Sequence, residues 1–301
     1  MSSFSFLRSD LANEKRDALL SDGSQIEGVS FESGVSRGVS YARLQILSPR
    51  GAELIGKPCG TYVTLSFDPP RTLSDEGRSS LSSVLGDELF SLMSSKSVDF
   101  SAGPVLVVGL GNRRLAVDAV GPAVASEITV TSHLPRLDPD LFRAVGIRSS
   151  AAFCPGVLGD TGIETASSVS AVCREISACA VIVVDALAAG SRSRLGCTVQ
   201  LCDTGVSPGS GVGNDRQALD EKLLGCPVFA LGVPTVVDLA TLVGETLGNA
   251  GFPPDSIPPA LDRELSSGKE FFVAPRDIDA AIEELAPIIA AGIDDALRAE
   301  R

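Results

Sequence analysis

The chain contains no tryptophan and a single histidine, His133. One histidine excludes an HExxH metalloprotease helix and any zinc site built from several histidines. It also leaves a Ser-His-Asp or Cys-His nucleophilic site dependent on His133 alone, a residue more commonly structural than catalytic. Acid–base chemistry falls first to carboxylates.

The seven cysteines are scattered and none forms a CxxC pair, so neither a zinc ribbon nor a disulfide framework is expected and the thiols read as packing residues in a reducing compartment. No segment reaches the roughly 18 apolar residues of a membrane span, and the first twenty residues lack a signal-peptide core. The expectation is a cytoplasmic protein with no membrane contact. Positive charge is also in short supply: 25 Lys and Arg stand against 38 Asp and Glu, for a net charge of -13. That balance disfavours direct contact with nucleic acid and favours solubility.

What is present is an alternation of two patterns over a length sufficient for one large α/β domain. Residues 1–34 are polar, with "SDLANEKRDALL" as a short helix that Ser9 or Asp10 caps, and read as an arm. "SYARLQILS" and "GTYVTLSF" alternate as strands with one exposed face, and "LSDEGRSSLSSVLGDELFSLM" follows with helical spacing. From Pro104 the strands become continuous apolar runs, namely "VLVVGL", "SAAFCPGV", "AVIVVDAL", "CTVQLC" and "PVFALG". Helical stretches separate them, among them "AVGPAVASEI", "GIETASSVSAVCREIS" and "TVVDLATLVGETL". This predicts an α/β fold, a mostly parallel sheet with helices on both faces, with its core at about residues 100–250. Residues 35–100 and 251–276 are expected as accessory segments, the latter a proline-rich insertion before a last helix.

Ligands of open α/β sheets gather at the carboxyl ends of the strands. Asp118 lies in the loop after "VLVVGLGN", and Asp185 ends "AVIVVDAL", so the two are expected at the same edge. Two carboxylates in a partly dry cleft share a proton and can activate water. The alternative is that Asp118 caps the next helix and Asp185 closes a strand. "GLGN" (Gly109, Gly111, Asn112) lacks the third glycine of a dinucleotide fingerprint, so no cofactor is expected. "SPGSGVGND", with Gly211 and Gly213, and "PGVLGDTGIET", with Thr161, Gly162 and Glu164, are loops whose residues either serve the turns and helix starts or line a site.

In order along the chain, "RSDLANE", "GKPCGTYVTL", "VVGLGN", "DAVGP", "PGVLGDTGIET", "VIVVDALAA", "DTGVSPGSGVGN" and "GVPTVVD" resemble the spore germination protease family, endopeptidases that degrade small acid-soluble spore proteins. The resemblance runs from about Arg8 to Asp238. It implies an atypical aspartic-type peptidase made as an inactive zymogen, with a core related to the hydrogenase maturation proteases. It also implies a homotetramer working in the forespore or spore core on small acid-soluble spore proteins as substrates. By motif match the two catalytic aspartates fall on Asp118 and Asp185. "FLRSDLANEK" resembles the zymogen processing region, which implies a propeptide of residues 1–10, a cut between Asp10 and Leu11, and a peptidase of residues 11–301. The chain departs from the family at Ala116 and Val117, where a Thr-Pro pair is usual, and at Gly190, where an arginine is usual. Two other readings stay open: a metal-dependent peptidase of hydrogenase-maturation type using the aspartates and His133, and a non-catalytic nucleotide-binding α/β protein.

Overall fold

The computed structural model describes residues 8–19, 26–209, 216–252, 258–266 and 271–301. Its framework is one nine-stranded sheet. In chain order the strands are β1 (Val29–Ser36), β2 (Val39–Ile46), β3 (Gly60–Ser66), β4 (Val105–Gly109), β5 (Ser150–Phe153), β6 (Ala180–Ala189), β7 (Thr198–Cys202), β8 (Val228–Asp238) and β9 (Phe272–Val273). They lie side by side as β1-β2-β3-β7-β8-β6-β4-β5, with β9 against β8.

The parallel pairing expected from the apolar runs holds for β8, β6, β4 and β5. β5 and β6 are each reached from the preceding strand through a helix-bearing connection long enough to bring the chain back in the same direction. β7 departs from that pattern although all five of its residues are buried. It runs antiparallel to both β3 and β8. The link from β6 to β7 spans only residues 190–197, too short for a crossover, so the strand direction reverses. Segment 35–100 supplies β2, β3 and the helix Asp75–Ser95 and extends this sheet rather than standing beside it.

Three local expectations are corrected. Part of the polar arm is strand: β1 pairs with β2 through a tight turn at Arg37 and Gly38, both with positive φ. An arginine in the left-handed region is not one of the usual hairpin signals, which is why the turn was not legible. β6 does not end at Asp185 but continues to Ala189, and β8 absorbs "TVVD", so the following helix starts only at Leu239. In both cases pairing between β6 and β8 along their full lengths overrides the local pattern.

The two sheet faces are covered differently. On one face Val105, Val107, Ile182, Val184 and Leu231 meet the helices Asp75–Ser95, Val120–Glu127 and Ile278–Ala296 in a single continuous core. The opposite face carries two separate patches. Leu106, Val108, Val181 and Val183 pack under the helix Thr165–Glu175. Leu44, Ile46 and Tyr62 pack with Ala12 and Ile55 from the helices Ala12–Leu19 and Pro49–Ile55. Between these patches the sheet is open. Among the described residues no helix is long and apolar enough to cross a membrane.

Candidate active site

The gap between the two patches is a cleft of ≈ 620 Å³ whose lining includes Asp118, Asp185, Arg216, Asp10, Lys15 and Lys57. Its floor is β6. Residues alternate along a strand, so Asp185 shares the side of Val181 and Val183 and faces the open side of the sheet. Asp185 as a whole is only 7% exposed, and one carboxyl oxygen accepts the N–H of Ala186 at 2.9 Å.

Asp118 reaches the same cleft because the chain after β4 folds back tightly over the strand ends. Leu110 donates its N–H to the carbonyl of Val184 at 2.8 Å, one step beyond the last β4–β6 pair and next to Asp185. Gly111 then turns at φ 112°, and a Cβ there would stand 2.1 Å from the carbonyl oxygen of Asp118. Gly121, in the helix that follows, would carry a Cβ 2.2 Å from the carbonyl of Leu110 and 2.5 Å from that of Val184. Only glycines allow the helix to approach this closely. The turn is tied down from β8, where the hydroxyl of Thr235 donates to the carbonyl of Val117 at 2.6 Å. A proline at 117 would keep that carbonyl, so valine and proline serve this anchor alike.

The two carboxylates are electrostatically unequal. Burial, followed by the nearby charge of Asp118, pushes Asp185 up to about 8, with the Ala186 N–H opposing. Asp118 is half-buried and is also raised by burial, but the N–H of Asn112, 2.8 Å from its Oδ2, and the charge of Arg216 act against the rise. At neutral pH Asp185 therefore holds a proton. A neutral carboxylic acid beside a second carboxyl in a water-accessible cleft can donate a proton to one oxygen while its partner receives one from another.

Several residues expected at the site lie elsewhere. Gly111 lines the cleft, but Gly109 does not: its missing Cβ makes room for the carbonyl of Gly121, 2.3 Å from where that Cβ would be. The glycines of "GLGN" are thus filled by the protein's own backbone, not by a phosphate-sized hollow. Asn112 serves through its N–H while its side chain accepts from Arg114. Thr161, Gly162 and Glu164 are exposed and outside the lining, although Gly156, Val157 and Thr165 of the same stretch belong to it. Thr161 closes its own turn through Val157 and Ile163, Gly162 ends the short helix Leu158–Thr161 at φ 69°, and Glu164 precedes the next helix without a side-chain cap. Gly211 and Gly213 lie outside the described residues. His133 is exposed and is not in the lining, and no three of His, Cys, Asp and Glu form a metal-holding group among the described residues.

Asp10 and Leu11 were expected on a polar arm; they are instead buried, at 8% and 0% exposed. The hydroxyl of Ser9 accepts from Leu11 at 2.9 Å, and the Asp10 carboxylate accepts from the N–H of Ala188 on β6. Glu14 receives the N–H of Gly190 at 2.7 Å and pairs with Arg194 at 2.8 Å. Sequence reasoning missed Arg216, Thr235 and Gly121. Arg216 is one of 25 basic residues and nothing in its spacing distinguishes it, whereas Gly121 sits within the "DAVGP" motif and could have been read as a close-approach glycine.

Comparison with known proteins decides the family. The model of the germination protease family matches residues 8–249. The chain belongs to the germination protease family. It is 35% identical to the germination protease of Clostridium acetobutylicum over 97% of this chain and 95% of that one. It is 37% identical to that of Caldanaerobacter subterraneus over 97% and 94%, and 32% identical to that of Priestia megaterium over 98% and 94%. Among solved structures, a [NiFe] hydrogenase maturation protease, HycI from Thermococcus kodakarensis, overlaps 68% of this chain and 98% of its own at 18% identity. The TM-score of 0.37 is too slight to carry an argument. Membership makes the chain a protease of spore germination, and Asp118 and Asp185 fall inside the matched residues.

Proposed function

We propose that this germination protease is an aspartic-type endopeptidase whose proton-sharing pair is Asp118 and Asp185. The observation that carries the reading is the inequality of the two carboxyls: Asp185 is buried and held up to about 8, while Asp118 is half-buried and its raised value is opposed by Asn112 and Arg216. Asp118 is then the base that takes a proton from the attacking water. Asp185 is the acid that gives its proton to the substrate carbonyl oxygen, forming a neutral gem-diol; as the C–N bond breaks, Asp118 passes the proton taken from water to the departing amine and Asp185 recovers a proton from the diol. The substrates are small acid-soluble spore proteins, met in the spore core, and the working form is a homotetramer. The enzyme is made as a zymogen and cuts itself between Asp10 and Leu11, beside its own dyad; because that segment is buried, the cut requires it to loosen first.

Digestion of a purified small acid-soluble spore protein tests the reading. Asp118→Asn and Asp185→Asn should each lose about a hundredfold or more in kcat/KM while remaining folded, because either removes half of the pair. His133→Ala and prolonged chelation should leave the rate unchanged. Either aspartate variant retaining a tenth of the rate, or loss on chelation that one divalent metal restores, would refute the dyad as stated.

A further inference from the structure

β4 ends at Gly109, and its last bond to β6 is the one from Leu110 to Val184. β6 runs five residues further, to Ala189. Alternation carries the N–H and C=O of Val184 and Ala186 towards the side of β4, and among the described residues no strand pairs with this side of β6 beyond Val184; β6 and β8 shift register at Leu187 and Ala188, and there Ala188 turns its N–H and C=O to Asp10. The edge begins at Asp185. Strand edges pair readily with extended chain, and they are covered where they persist in folded proteins.

Among the described residues two carboxylates occupy it: Asp185 takes the N–H of Ala186, and Asp10 takes Ala188. Asp10 donates its N–H to the carbonyl of Ala188 at 2.9 Å and accepts the N–H of Ala188 on its carboxylate, also at 2.9 Å. Those are the two bonds that a residue of an antiparallel partner exchanges with its opposite number, except that a side-chain oxygen replaces the main-chain one. The backbone carbonyl of Asp10 is turned away to Gln200 of β7, which also holds the N–H of Ala12 at 2.7 Å. Asp10 thus mimics one residue of a bound strand and stops the ladder there.

We propose that a polypeptide substrate binds as an added strand along the edge of β6 from Ala186 to Ala188, one of its residues exchanging both backbone bonds with Ala188 in place of Asp10. This deepens the peptidase reading and rests on it. Added-strand binding takes its affinity from main-chain bonds, which any extended peptide offers, and it would lay the peptide alongside Asp185. Asp10 then competes with substrate for one pair of backbone groups.

The probe is a synthetic peptide of residues 8–15, RSDLANEK, labelled and titrated into the full chain carrying Asp185→Asn so that binding is read without turnover. Adding Asp10→Ala should tighten binding about tenfold or more, since the peptide no longer displaces an internal partner. Asp10→Asn, which keeps a side-chain acceptor, should stay near the unsubstituted affinity. A peptide N-methylated at its aspartate amide should lose the whole gain. Equal binding of the plain and N-methylated peptides to the Asp10→Ala chain overturns the added strand, as does an affinity that Asp10→Ala leaves unchanged. If Asp10→Ala does not fold, Asp10→Ser, too short to reach Ala188, replaces it with the same expected results. Cleavage of the plain peptide by chains retaining Asp185 separates the two readings: cleavage insensitive to N-methylation sinks the added strand alone, whereas binding that depends on the amide without any cleavage sinks the peptidase assignment alone.

Discussion

The two faces of the sheet use the same apolar strands to opposite ends. On the closed face Leu81, Leu85, Leu89 and Met93 of one long helix meet Ile282, Leu285, Ile289 and Ile293 of the other over the strands, with hardly a polar side chain among them. The helices approach through Gly86 and Gly292, where an added Cβ would lie 2.6 Å from Asp295 and from Leu85 respectively. On the open face the covering helix Thr165–Glu175 reaches Val181 and Val183 but not the later half of β6, and the bare strip beyond it holds Asp185 and, across the turn, Asp118. A closed face contributes stability in proportion to the apolar area it removes from water. An open strip does the reverse: it keeps a carboxyl dry enough to stay protonated yet reachable by a ligand. The family's protease role needs both, since a perturbed group holds its geometry only on a scaffold that does not yield.

That contrast can be broken from either side. The largest effect is expected on the closed face, where Leu89→Ala should destabilise the chain by about 2–5 kcal/mol, read as a lower denaturation midpoint at unchanged m. Peptidase activity per folded molecule should not change. Loss of activity well beyond the loss of folded protein would show that the faces are not separable.

A smaller effect follows from pH. Below about 4 the carboxyl of Asp185 is protonated in both the folded and unfolded chain; from there to about 8 the unfolded chain releases the proton while the folded one retains it. Stability contributed by this group is thus complete in acid and lost as pH rises towards 8. Asp185→Asn cannot titrate, so it should gain on the wild type by on the order of a few kcal/mol between pH 5 and 8, measured by denaturant unfolding at each pH. A difference independent of pH would mean that Asp185 is ionised in the fold. Wild-type activity should correspondingly fall above about pH 8.

The smallest effect sharpens the comparison at the hinge between the faces. Gly121→Ala forces a methyl against the carbonyls of Leu110 and Val184 and must push the helix Val120–Glu127 off the strand ends. This displaces Asp118 relative to Asp185, and kcat should fall about tenfold with KM little altered, because placement of a reacting group is lost and not binding. An unchanged kcat would show that the close approach at Gly121 serves packing alone.

Much of the fold was legible where a single periodicity spoke for a whole element. The continuous apolar runs of β4, β6 and β8 and the helical spacing of residues 75–95 and 278–296 each reflect contacts that repeat along one strand or helix, and local sequence records such repeats. That Asp118 and Asp185 come to one cleft was legible for the same reason: Asp118 follows β4 and Asp185 stands late in β6, and these two strands run parallel. Composition alone, with one histidine against 38 acidic residues, directed attention to carboxylates. What the sequence could not carry was any property set by the meeting of distant segments. The antiparallel course of β7, the extension of β6 past Asp185 and the exposure of Thr161, Gly162 and Glu164 depend on which strands become neighbours and where each stops. The elevation of Asp185, the charge of Arg216 beside it and the burial of Asp10 against Ala188 are tertiary for a further reason: desolvation and Coulomb interaction act through space, between residues up to 178 apart in the chain. A sequence names the groups that can titrate and pair; only the packed chain determines how dry each one is and which partner it meets.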